Sequence, residues 1–149
     1  MSRSEVGLLD TNTLILLPRF KDASVLPEHP QISAITLAEL TVGPLVATDE
    51  AERGARLAHL QQAESDFEPI PFDAAAARSF GQVAASLRRS GRKASARAYD
   101  AMIAAVAVAN ELPLYTCNPD DFTGIEGLEV MSIQHPDRLT ADPALEFDP

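Results

Sequence analysis

Apolar residues come along this chain in short runs, and the spacing within each run predicts its element. Residues Glu5 to Leu9 read as a short buried strand, and Thr11 to Leu17 as a helix stopped by Pro18. Phe20 to Pro30 is loop-like, carrying Pro27 and Pro30. Gln31 to Ile35 predicts a second strand, followed by a helix from Thr36 that ends near Gly43-Pro44. Asp49 to Ser65 has helical spacing, with Leu57 and Leu60 on its apolar face. Glu68 to Pro71 predicts a third short strand, and Asp73 caps a helix that runs through Phe80, Val83 and Leu87 to about Arg89. Ala98 to Asn110 is a strongly apolar helix, Leu114 to Thr116 a strand, Pro119 to Phe122 a turn and Leu128 to Ile133 a last strand. Strands alternating with helices predict an α/β fold, a mainly parallel sheet covered on both faces.

Charged residues matter most where they break this pattern. Asp10 closes the first apolar run, and Glu39 and Asp100 interrupt later ones in the same way. A carboxylate buried without a partner is costly, so repeated interruptions point to acids gathered around a metal ion. In an open parallel sheet, ligands bind beyond the carboxyl ends of the strands, and Asp10, Glu39, Asp100 and the segment Thr116 to Asp121 all fall near that edge. Structural roles compete with this reading. Asp10 suits an N-cap. Thr36 and Glu39 fit a capping box. Asp100 suits the positive end of a helix, and Asp120 and Asp121 a polar turn.

Composition narrows the alternatives. The 149 residues, 46% apolar, can bury one core, with domain bounds expected at 1–135 and an acidic, proline-containing tail at 136–149. No run is long enough to span a bilayer and no basic leader precedes a cleavage site, so a cytoplasmic location is expected. The lone Cys117 excludes an internal disulfide and a multi-thiolate zinc site, and His29, His59 and His135 lack helical ligand spacing. A net charge of −10 argues against broad adhesion to nucleic acid, yet Arg88, Arg89, Arg92, Lys93 and Arg97 form a local cationic segment that could contact phosphates or simply solvate a helix end. Tyr99 could stack on a base, although core packing is the simpler expectation. A haloacid-dehalogenase-type phosphatase needs a second Asp where Asn12 stands. A receiver-like phosphoacceptor needs a late Lys, and dinucleotide and P-loop motifs are missing from the sequence.

Four segments resemble, in order and spacing, the motifs of PIN-domain ribonucleases and more narrowly the VapC toxins of bacterial toxin-antitoxin pairs: Leu8 to Asn12, Ser33 to Leu40, Tyr99 to Ala107 and Thr116 to Phe122. The resemblance covers roughly Val6 to Ile133. It implies a three-layer PIN-like sandwich and a metal-dependent endoribonuclease held inactive by a VapB-type antitoxin, with a homodimer and a higher toxin-antitoxin complex. The family's first three acids fall on Asp10, Glu39 and Asp100. Its fourth position falls on Asn118 by one spacing and on Asp121 by another, and Asp121 is chosen. Mg2+, or Mn2+ in its place, prefers such hard oxygen ligands. Asp10 and Asp100 are the expected direct ligands, Glu39 would bind a second ion or orient the attacking water, and Asp121 would hold metal through water. Thr11, Asn12, Thr116 and Asn118 are expected to support the carboxylates. The competing reading is a catalytically silent protein of the same fold, kept as a binding or regulatory partner.

Overall fold

The computed structural model describes residues 5–93 and 97–139. Strand β1 (Val6–Leu9) lies at the centre of the sheet and alternates its side chains: Leu8 enters the apolar cluster on one face and Leu9 the cluster on the other. Tyr115 lies so close over β1 that a Cβ on Gly7 would come within 2.5 Å of its ring, which requires glycine there. Around β1 stand β2 (His29–Gln31), β3 (Leu114–Thr116) and β4 (Val130–Ser132), in the order β2-β1-β3-β4 with every pairing parallel.

Helices cover both faces. On one face, α1 (Thr11–Leu16), α2 (Ala34–Val46) and α3 (Glu50–Asp66) supply Leu14, Leu40 and Ala63 to a cluster with Leu9, Ile32 and Tyr115. On the other, α4 (Ala74–Arg89) packs its Ala76, Val83 and Leu87 against α5 (Ala98–Ala109). A helix that is apolar nearly all round belongs in the interior, and α5 buries Ala101 and every residue from Ile103 to Ala107. A last short helix, α6, spans Pro136–Leu139, and residues 140–149 of the expected tail lie outside the described residues. Among the described residues no helix is long and apolar enough to cross a membrane.

The sandwich with a parallel sheet matches the expected fold class, and three local expectations are corrected. The second strand is His29–Gln31 rather than Gln31 to Ile35, because Ser33 already caps α2: its Oγ accepts from the Thr36 amide at 3.2 Å. Glu68 to Pro71 is not a strand. Pro69 and Pro71 have no N–H to offer a ladder, and only Ile70 bridges, donating to the Ile32 carbonyl at 2.9 Å and accepting from the Ala34 amide at 2.8 Å. Helix α2 also runs through Pro44 to Val46. Its late carbonyls are taken up by α3, where Arg53 Nε donates to the Pro44 carbonyl and Arg56 Nη1 to that of Gly43.

Candidate active site

Asp10 ends β1 and caps α1, so the strand delivers it to the carboxyl edge of the sheet and the cap fixes its rotamer. It is buried. One carboxylate oxygen accepts from the Thr13 amide at 3.0 Å and the other from Thr116 Oγ1 at 2.6 Å. Thr116 ends the neighbouring β3, and its hydroxyl also accepts from the Asn118 amide at 2.9 Å, which orients that hydroxyl as a donor toward Asp10. The N-cap and site readings of Asp10 are therefore compatible, since each carboxylate oxygen keeps a further lone pair.

Glu39 is not half of a capping box. With Ser33 as the cap, Thr36 sits one turn inside α2, where its buried hydroxyl meets Thr11 Oγ1 at 3.0 Å, and Thr11 Oγ1 donates to Glu39 Oε1 at 2.6 Å. Partial burial, opposed by this hydrogen bond and reinforced by Asp10, raises the pKa of Glu39.

Asp100 lies in the first turn of α5 and is partly buried. Its pKa is pushed up to about 6, first by desolvation and then by the charges of Asp121, Asp10 and Glu39, with Arg97 acting against them. The four sequence-predicted acids thus share one edge, where Asp100 feels the charge of the other three and Glu39 that of Asp10. Asp121, in the 3-10 turn Pro119–Phe122, forms an ion pair with Arg97. The donor set, carboxylate oxygens alone, suits a hard divalent cation, although among the described residues no group of three His, Cys, Asp or Glu side chains is disposed to hold one ion.

Other predicted residues divide. Asn12 and Asn118 are exposed, and Asn118 contributes its backbone amide rather than its side chain. In the cationic segment, Arg89 pairs with Glu126 at 3.3 Å and Arg92 donates to the Asp120 carbonyl at 2.6 Å. Arg88 and Lys93 line a separate open cleft of about 520 Å3 with Gly91 and Arg92, and Arg97 alone of the five reaches the acids. Sequence reasoning missed Ser33, Thr13 and the site-facing role of Thr36; a Ser three residues before Thr36 was the available signal for the cap. Tyr99 is corrected outright: it is 51% exposed instead of packed in the core. Cys117, its thiol pKa raised by burial, receives a long contact from Thr13 Oγ1 at 3.9 Å. Away from the acids, Leu14, Ile15, Leu17, Leu40, Ala63 and Phe67 line an apolar groove of about 450 Å3 between α1, α2 and α3.

Comparison with known proteins agrees with this geometry. Residues 8–128 match the profile of the PIN domain. Ribonuclease VapC5 of Mycobacterium tuberculosis is 37% identical over 129 residues, covering 85% of this chain and 93% of that protein. The crystal structure of VapBC-5 from Mycobacterium tuberculosis, a member of the VapBC family of toxin-antitoxin systems, superposes with a TM-score of 0.74 at 32% identity, over 87% of this chain and 99% of that one. DNA-bound VapBC from Salmonella typhimurium gives 0.66 at 29% identity, over 89% and 98%.

Proposed function

This chain belongs to the PIN-domain family and is closely related to VapC-type toxins, and from that premise we propose that it is a Mg2+- or Mn2+-dependent endoribonuclease, the toxin of a VapBC-type pair. The observation that carries the reading is the convergence of Asp10, Glu39, Asp100 and Asp121 on one edge, where burial first and then the charges of the other three acids lift Asp100 to a pKa of about 6. Excess negative charge is what a divalent cation neutralises.

Asp10 and Asp100 would hold the ion, which when bound supplies an activated water and offsets charge on the phosphodiester. Thr116 and the Thr13 amide hold Asp10 in place. Glu39, oriented by Thr11 and with its pKa raised first by burial, would bind a second ion or orient the attacking water. Asp121 contributes through water and is restrained by Arg97, which also offers a cation to substrate phosphate.

The apolar groove suits the amphipathic helix of an antitoxin, which would engage it through apolar anchors spaced by helical turns. A silent binding protein is the second reading, favoured by the lack of a three-ligand cluster among the described residues. Cleavage separates the two. Purified protein should cut RNA only with Mg2+ or Mn2+, and Asp10→Asn and Asp100→Asn should each reduce the rate by about 100-fold or more while circular dichroism stays unchanged. Cleavage that survives both substitutions, or never responds to metal, rejects the nuclease reading.

A further inference from the structure

Of the large apolar side chains that the described residues leave exposed, Tyr99 alone is aromatic. Its companion Tyr115 is buried over β1, and the chain has no tryptophan, so a tyrosine ring open to water is an exception here. Folding gains little from it: the residue is 51% exposed, and its hydroxyl takes no hydrogen bond among the described residues. Its position is specific. Tyr99 precedes Asp100 in the first turn of α5 and, with Glu39, Arg97 and Asp100, lines an open cleft of about 480 Å3. One short stretch of helix therefore presents a cation, an aromatic face and a carboxylate to the same space.

These groups match the parts of one nucleotide step. Carboxylates serve the phosphodiester, a guanidinium serves a phosphate oxygen, and a flat apolar ring serves a base. We propose that Tyr99 is a specificity-determining residue, whose ring stacks on a base adjoining the phosphodiester at the acidic edge and thereby restricts action to unpaired nucleotides. The inference rests on the nuclease reading above and names the residue that would select among RNA forms. A base within a duplex is already stacked on both faces and cannot offer one to Tyr99 without being pulled from the helix. Tyr99 touches no reacting atom, so its role lies in affinity and positioning.

The test uses the full chain carrying Asp10→Asn to prevent cleavage. Its affinity is measured for a short end-labelled single-stranded RNA and for the same RNA annealed to its complement. Adding Tyr99→Ala should weaken single-strand binding roughly tenfold while leaving duplex binding within about twofold, and Tyr99→Phe should restore the preference. In the cleaving protein Tyr99→Ala should raise KM and spare kcat. Equal losses for both RNA forms, no loss at all, or a Phe variant as weak as the Ala variant overturns the proposal. The two readings fail separately. If the unsubstituted chain cleaves while Tyr99→Ala binds single strands normally, stacking alone is rejected; if nothing is cleaved and Tyr99→Ala still loses single-strand binding, stacking stands and the nuclease reading falls.

Discussion

The acidic edge has two halves built on different terms. Asp10 and Glu39 are held by hydroxyls and an amide from neighbouring elements, whereas Asp100 accepts no hydrogen bond among the described residues and Asp121 is restrained by one exposed arginine. These bonds fix the orientation of the first half, although burial still outweighs the Thr11 bond and raises the pKa of Glu39. In the second half Asp121 is answered by Arg97, whereas Asp100 carries charge that burial and the neighbouring acids leave uncompensated. On the proposed reading, the hydrogen-bonded pair would set the geometry and Asp100 would make neutralisation by a cation favourable.

Breaking the fixed half should have the larger effect. Thr116→Val keeps shape and burial while removing the hydroxyl that orients Asp10, and the loss of such a supporting bond is expected to lower metal affinity or activity by about 10- to 100-fold. Thr116→Ser should recover most of it. Titrating Mg2+ against cleavage rate in both variants decides the matter, and a valine variant with wild-type metal dependence would mean that the cap alone positions Asp10.

The comparison also shows how far the sequence reaches. Asp10, Glu39 and Asp100 stand out in the sequence because each breaks an apolar run, a local signal that needs no tertiary knowledge, whereas Asp121 is chosen over Asn118 from the family resemblance. The support for Glu39 was not legible. Thr11 and Thr36 are separated by 25 residues and meet only when α1 and α2 pack side by side. The second strand was misplaced because β2 lies at the sheet edge, where its exposed His29 and half-buried Pro30 and Gln31 show no apolar alternation and Pro30 costs no ladder bond on the open side. Tyr99 was misjudged from its apolar neighbours. Those neighbours bury deeper in α5, while its first turn lies at the rim of the cleft.

The uncompensated Asp100 makes a smaller, pH-dependent prediction for the metal-free chain. Asp100 has a folded pKa of about 6, above its value of 3.8 in the unfolded chain, so its contribution to stability is fully present below pH 3.8 and is lost as pH rises through about 6. Urea unfolding should therefore show Asp100→Asn gaining on the unsubstituted chain between pH 5 and pH 7.5, by on the order of 1 kcal/mol once solvent screening of this partly exposed group is allowed for. Saturating Mg2+ should narrow the gap at pH 7.5, because only the unsubstituted chain keeps the full set of acids. A difference that is flat across this pH range would mean that neither burial nor the neighbouring acids raise the pKa of Asp100.

The cations give the smallest effect and the finest distinction. Arg89 and Arg92 are engaged by Glu126 and the Asp120 carbonyl, whereas Arg88 and Lys93 form no ion pair among the described residues and line an open cleft. A cation already committed to a protein acceptor must give up that bond to take a phosphate, so the free pair should carry more of any RNA contact. Replacing Arg88 and Lys93 with Ala should weaken RNA binding for all sequences alike and reduce the slope of log affinity against log salt by roughly one to two. Arg89→Ala should change the slope by less. If Arg89→Ala proves the stronger variant, the Glu126 pair is broken on binding and the cationic face adjusts to RNA. If neither variant moves the slope, Arg88, Arg89 and Lys93 take no part in RNA binding.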